Sequence, residues 1–439
     1  MDILIKIAQL FLCFTILVGI HELGHFLMAR AFKIRVEKFY IFFDPWFSLF
    51  KFKRGDTEYG LGWLPLGGYV KIAGMIDESM DKEQMKQPVK PDEFRAKPAW
   101  QRLLVMVAGV MMNVLLAIVI YCAVCYTWGD SYFSNQDAKW GYNFNPTAHE
   151  MGFRDGDRFV SIDGEEIDNV MRVQNDLLIT DGGRVIVERG GEPVTLDIPF
   201  ESLLRMRQEK AYEDLFTLRL PFIVDSVSYT SAVEAGLESG DEVVAIDDLR
   251  DADYPRYRDY LQKHKNDKVL LTVRRDGALI DSLALPVDAE GRIGVTVTNP
   301  YSLRTQYYTF WESIPAGIHK AGKTISSYWD QLKLIVQPKT KMYEELGGFV
   351  AIGSIFPSSW DWHDFWLKTA FLSIILAVMN LLPIPGLDGG HALFTLWEII
   401  TRRKPSEKFL EVAQYVGLMI ILALLVYANG NDIYRFFIK

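Results

Sequence analysis

The sequence is short of three things. It has 3 cysteines in 439 residues, too few for a disulfide scaffold. It has no excess of basic charge: 47 Lys and Arg stand against 56 Asp and Glu, for a net charge of −9. That balance argues against nucleic acid as a main partner. Charge is also missing from long stretches near both ends, although the middle is rich in it. Such segregation excludes a disordered chain, a collagen-like chain and a wholly soluble globule.

What fills the uncharged stretches is apolar. A membrane-spanning helix needs about 20 mostly apolar residues. Residues 7–32 and 103–126 meet this, and 365–387 does so with one lysine, Lys368, near its start. Residues 412–427 fall short, but Phe409, Leu410 and residues 433–437 extend them. A cleaved signal peptide fits the first run poorly, because Asp2 and Lys6 replace a basic cluster and no small-residue cleavage site ends it. Four spanning helices are therefore expected. Arg30, Lys33, Arg35 and Lys38 follow the first, Arg102 precedes the second, and Arg402, Arg403, Lys404 and Lys408 lie between the third and fourth. These flanks place those loops in the cytoplasm. Residues 128–366, with roughly 25 Lys and Arg against about 39 Asp and Glu, suit the far side, as do both termini.

The middle holds a repeat. Ala148, Glu150, Gly152, Gly156, Asp157, Val160, Ile162 and Asp163 recur without a gap as Ala232, Glu234, Gly236, Gly240, Asp241, Val244, Ile246 and Asp247. Each copy reads as a short helix, a Gly-Asp turn and a strand of alternating apolar residues. The pattern resembles the PDZ domain, with Phe153 at the leucine position of the first copy. Two PDZ-like domains are assigned, at 134–222 and 223–298. Peptide binding by strand addition, steric gating and plain spacing are all open to them. From Phe310 an amphipathic segment follows, with Phe310, Ile314, Ile318, Ala321, Ile325, Tyr328, Leu332 and Ile335 on one helix face and Pro315 at its expected start. It either lies in the membrane interface or packs on the second PDZ-like domain.

Two motifs carry chemistry. His21-Glu22-Leu23-Gly24-His25 lies inside the first apolar run. A spacing of four puts both imidazoles on one helix face, able to share a metal with Glu22 beside them as general base. Ionisable residues in a spanning helix mark function by default. Catalytic zinc usually takes three protein ligands and a water, so a third ligand is missing. The second motif, from Asn380 through Pro383, Pro385, Gly386 and Asp388 to Gly389, Gly390 and His391, supplies a carboxylate at the inner end of the third helix. Helices one and three run in the same direction, so the two motifs should meet at similar depth.

In combination these motifs resemble the site-2 protease family of intramembrane zinc metalloproteases, in its bacterial branch with tandem PDZ domains between the second and third helices. The resemblance covers nearly the whole chain. It implies that His21, His25 and Asp388 bind Zn2+, that Glu22 activates water and that Asn380 holds the substrate or the oxyanion. Gly109 and Asn113 resemble the family's G-x-x-x-N element beside the site, with ordinary helix packing as the plain alternative. The apolar, Gly-rich segment 60–71 resembles the family's membrane-associated β-hairpin, with Gly67, Gly68, Tyr69, Val70 and Lys71 as substrate-pairing residues. Edge pairing suits the task, since a helical substrate hides its carbonyls in i→i−4 bonds. Phe349, after Gly347 and Gly348, departs from the family by replacing a proline.

The expected fold is thus a polytopic α-helical membrane protein with two inserted PDZ-like domains and a β-hairpin. The segments are 1–133 with helices one and two, 134–222, 223–298, the amphipathic linker 299–364, and 365–439 with helices three and four. The expected location is a bacterial inner membrane, with PDZ domains and termini periplasmic and the metal toward the cytoplasmic leaflet. The resemblance implies single-span membrane protein substrates within the lipid bilayer: a trimmed anti-sigma factor, or remnant signal peptides. Two other readings are a PDZ scaffold with a vestigial metal site, against which the intact Glu22 argues, and an HtpX-type membrane metalloprotease.

Overall fold

The structure is a computed structural model describing residues 2–64, 67–75, 88–180, 183–212, 214–251 and 253–435. The chain divides into two compact units. One comprises residues 1–130, 306–338 and 342–439, and the other residues 131–305 and 339–341.

The first unit opens with α1 (Asp2–Ala31). It is followed by β1 (Val36–Ile41), β2 (Phe43–Arg54), β3 (Thr57–Leu64) and β4 (Tyr69–Ile72), and then by α2 (Ala99–Trp128). The strands form one sheet in the order β2-β3-β1-β4, with β1 and β3 parallel and the other pairs antiparallel. The expected hairpin over 60–71 is not formed as a two-stranded ribbon: β3 and β4 lie on either side of β1, and the directly joined antiparallel pair is β2–β3. Strand order is set by such non-local pairs, which residue pattern does not encode. Pro65 and Leu66, inside the segment expected to form the hairpin, lie outside the described residues. Val70 and Ile72 of β4 are buried with Ala29, Ile34, Val36, Val105 and Met106, which fixes the sheet against α1 and α2.

The second unit carries two lobes of related build. The first lobe contains β5 (Asp130–Tyr132), β6 (Tyr142–Phe144), α3 (Pro146–Glu150), β7 (Arg158–Ile162), β8 (Glu165–Glu166), α4 (Val173–Ile179), β9 (Arg184–Arg189), β10 (Glu192–Asp197), α5 (Phe200–Gln208) and β11 (Phe216–Leu218). The second contains β12 (Val224–Val227), α6 (Thr230–Glu234), β13 (Glu242–Ile246), α7 (Tyr254–Lys263), β14 (Lys268–Arg275), β15 (Ala278–Pro286) and β16 (Val295–Val297), and β17 (Arg304–Gln306) returns to pair with β5. The repeat is structural: α3 and α6, and β7 and β13, occupy matching places in the two copies. The aspartates of the Gly-Asp turns do the same work in both. Asp157 is buried and takes Arg189, and Asp241 is buried and takes Arg275. Each arginine also donates to the carbonyl of the equivalent glycine, Gly152 or Gly236. Gly152 and Gly236 have positive φ, 99° and 88°, a conformation that favours glycine.

The chain then returns to the first unit as α8 (Phe310–Val336), α9 (Phe349–Ser354), α10 (Trp362–Leu381), α11 (Asp388–Thr401) and α12 (Glu407–Ile433). The amphipathic segment is α8. Ala321 of α8 is buried in a cluster with Ala117, Tyr121 and Val124 of α2 and with Ala370 and Ile374 of α10. A Cβ at Gly317 would fall 2.5 Å from the Cys122 backbone nitrogen, so α8 packs tightly on α2. Pro315 is not its start. Thr309 caps it in a capping box with Glu312, and the proline sits at the sixth position, where its missing N–H removes the helical bond to the Trp311 carbonyl.

The third apolar helix ends at Leu381, six residues short of the expected end, and Asp388 begins a separate helix, α11. Pro383 and Pro385 account for this, because a proline disfavours helix at the preceding residue and lacks an N–H. The fourth span is longer than its apolar run. Among the described residues, four helices, α1, α2, α10 and α12, are long and apolar enough to cross a membrane.

Candidate zinc centre

His21 and His25 stand one turn apart on α1, above the crossing with α2. Two glycines let the helices approach. A Cβ at Gly24 would meet the Ala108 carbonyl oxygen at 2.5 Å, and one at Gly109 would fall 2.4 Å from His25 Nε2. Gly109 therefore forms the floor under the imidazoles, and any larger residue would displace a ring. Asn113, one turn along the same face, is fully buried with its amide 3.3 Å from His21 Nδ1. Expected among the substrate-binding residues, it stands beside the His21 ring. His25 Nδ1 lies 2.8 Å from the Val105 carbonyl oxygen. A carbonyl only accepts, so His25 Nδ1 carries the proton and Nε2 keeps its lone pair.

The carboxylate arrives from α11. The loop between α10 and α11 folds back onto the first turn of α11, and glycines make room. A Cβ at Gly389 would fall 2.3 Å from the Leu382 oxygen, and one at Gly390 2.5 Å from the Ile384 oxygen. Gly417 of α12 packs so closely on Pro385 that no side chain fits there. Sequence reading missed Gly417, because its partner lies 32 residues away on another element. The result places Asp388 Oδ2 3.0 Å from His21 Nε2 and 3.3 Å from His25 Nε2, with the two Nε2 atoms 3.2 Å apart.

Those three atoms test the fit of a metal. Bonds of about 2.0–2.1 Å in a tetrahedron separate ligand atoms by about 3.3 Å, and the observed triangle matches. Among the described residues Asp388 Oδ2 is buried without a hydrogen-bond partner, although both imidazole Nε2 atoms lie beside it. This donor set, two imidazoles and one carboxylate, suits zinc. Among the described residues it is the group of three or more His, Cys, Asp or Glu side chains placed to hold a metal ion.

Around the triangle, Asn380 in the last turn of α10 points its amide to within 3.5 Å of His21 Nε2. Ser373 of α10 donates to the Asn113 carbonyl, tying α10 to α2. Glu22 sits between the histidines and β4. Its carboxyl lies near the Val70 backbone, and a Cβ at Gly68 would fall 3.4 Å from Glu22 Cγ. The outer edge of β4 therefore faces the centre. Tyr69 donates to Asp44 and Lys71 pairs with Glu37, so these side chains are engaged within the sheet and the strand offers its backbone. Gly67 has φ 141° and lies against Phe43.

Comparison with known proteins bears on the chain as a whole. The sequence model of Peptidase family M50 matches residues 9–424. A Clostridium perfringens protein named as a zinc metalloprotease is 30% identical over 426 residues, covering 96% of each chain. The regulator of sigma E protease of Haemophilus influenzae is 27% identical over 459 residues, covering 99% of this chain and 100% of its own. A Vibrio cholerae protein named as a zinc metalloprotease is 29% identical over 461 residues, covering 99% of each. The chain belongs to Peptidase family M50. It is a zinc metalloprotease with membrane-spanning helices, and its cofactor is Zn2+.

Proposed function

We propose that this protein hydrolyses peptide bonds within the membrane-spanning segments of single-span proteins. The supporting observation is the triangle of His21, His25 and Asp388 with Glu22 beside it and an open strand edge, all within the unit that carries the four apolar helices. In this reading His21, His25 and Asp388 hold the zinc. When bound, zinc polarises the scissile carbonyl and lowers the pKa of water.

Glu22 takes a proton from the attacking water as the C–O bond forms. It then delivers that proton to the leaving nitrogen as the C–N bond breaks. Asn380 donates its amide N–H to the oxygen that gains charge. Val105 fixes the tautomer of His25, and Asn113 does the same for His21 with its amide turned so that Oδ1 accepts from Nδ1–H, which leaves Nε2 free for the metal. The edge of β4 pairs with an extended substrate, so that the unwound segment presents its carbonyl to Glu22.

The finer reading covers partners and orientation. The lobes at 134–222 and 223–298 are PDZ-like and face the periplasm of a bacterial inner membrane, as do both termini. The basic flanks support the zinc centre lying toward the cytoplasmic leaflet. The substrates are a trimmed anti-sigma factor and remnant signal peptides, and the PDZ-like pair excludes substrates with folded outer domains. The test is to express tagged single-span reporters with wild type and Glu22→Gln. Cleavage by wild type alone, with the products mapped inside the span, supports the reading. Cleavage confined to soluble loops would replace it with a membrane-anchored protease acting outside the bilayer.

A further inference from the structure

Asp388, His391, Thr395 and Glu398 follow one another along one face of α11, at steps of three and four. The last three line a cavity of about 120 Å3. Its walls are mainly apolar, built by Met75, Phe94, Phe394 and Leu410. The cavity thus continues the helix face that begins at the zinc centre. A second element leads to it. β4 ends at Ile72, and Gly74 and Met75 just beyond line the same space. A peptide laid along the outer edge of β4 would run from Glu22 into this cavity.

The polar groups within it are satisfied, with one exception. Arg102 pairs with Glu398 at 2.5 Å, and the Thr395 hydroxyl donates to the His391 carbonyl at 2.8 Å. Gln414 of α12 is 7% exposed, lines the cavity, and its Oε1 has no hydrogen-bond partner among the described residues. An unpaired buried carbonyl is costly. The environment therefore asks for an occupant with an apolar body and one N–H donor.

We propose that this cavity is a substrate subsite. It takes the bulky apolar side chain of a residue on the side of the scissile bond toward the C-terminal end of α11, and Gln414 Oε1 accepts that residue's backbone N–H. The proposal rests on the peptidase reading given above. Its size suits one side chain rather than a longer segment, since an apolar cavity of about 150 Å3 admits a benzene ring. Leucine, methionine and phenylalanine are the expected occupants.

The test uses the full-length, zinc-loaded protein and a panel of single-span reporters. The cleavage position is mapped by mass spectrometry, and Leu, Phe, Ala, Gly and Asp are placed in turn at each of the three positions on either side of it. Wild type should prefer Leu or Phe over Gly at one position by roughly tenfold or more in kcat/KM. Leu410→Trp fills the cavity and should reduce that Leu-to-Gly ratio about tenfold, with zinc content retained. Gln414→Leu keeps the volume and removes the acceptor. It should lower kcat/KM about fivefold to tenfold for all reporters alike, leaving the side-chain ratio intact.

An unchanged ratio in a zinc-loaded Leu410→Trp protein would overturn the subsite. If Leu410→Trp fails to fold, Met75→Trp fills the cavity from another wall, and an unchanged ratio there would overturn the proposal equally. A zinc-loaded wild type that cleaves no reporter at all would sink the peptidase reading itself, a different result from cleavage without side-chain preference.

Discussion

At the scale of single residues, the centre depends on groups that touch the imidazoles as much as on the metal-binding set. The His21 and His25 spacing, Glu22 and Asp388 are legible in the sequence, because a helix of known period brings i and i+4 together and a known ligand count asks for one more donor. The role of Asn113 was not legible, since it follows from where α2 crosses α1. Gly109 shows the same limit: only the crossing reveals that a Cβ there would strike His25 Nε2. Gly109→Ala should therefore lower zinc content sharply while α2, with a better helix former, is not weakened; metal analysis of the purified variant checks this. Asp388→Asn weakens a ligand, so zinc occupancy and turnover should fall together, and His21→Ala should lose most of the metal. Stoichiometric zinc in His21→Ala would refute the assignment.

Elements show a different division. The four apolar helices were legible from length and absence of charge, and the repeat from its constant offset. The β1–β3 parallel pair and the edge position of β4 were not, because strand order is set by non-local pairing. Pro383 and Pro385 marked a break in the third helix, but not that a 14-residue helix follows. The open edge of β4 yields a prediction. Val70→Pro removes an N–H of β4 beside Glu22, together with a buried side chain that packs against α1 and α2. Cleavage should fall at least tenfold while zinc stays bound, measured by reporter turnover beside metal content. In the second lobe, burial pushes the Asp241 carboxyl up, but the Arg275 fork and the Glu238 N–H outweigh this and leave it below the ordinary value. A carboxylate depressed in the folded state stabilises above its unfolded pKa, near about 3.9, and that stability is lost as pH falls through the folded value. The thermal stability of the inserted unit should therefore fall away below about pH 4. Arg275→Met should lower the thermal stability of the inserted unit near neutral pH, because the buried Asp241 carboxylate keeps the Glu238 N–H but loses its arginine.

For the whole molecule, the proposed reading gives chemistry to the unit with the apolar helices and access to the unit with two lobes. Among the described residues, the members of the zinc centre lie in the first unit. Replacing residues 134–298 by a flexible linker should leave zinc content unchanged and short reporters cleaved, while reporters with folded outer domains, rejected by wild type, become substrates. Loss of cleavage for both reporter types with zinc intact would mean that the lobes deliver substrate rather than filter it.

The central claim is that Glu22 acts on a substrate positioned at a zinc ion held by His21, His25 and Asp388. The most direct measurement follows zinc content and cleavage of one tagged single-span reporter in wild type and Glu22→Gln, side by side. The account predicts about one zinc per chain in both proteins, with reporter cleavage at background in the variant. Cleavage by Glu22→Gln at the wild-type rate, with zinc bound, would contradict it.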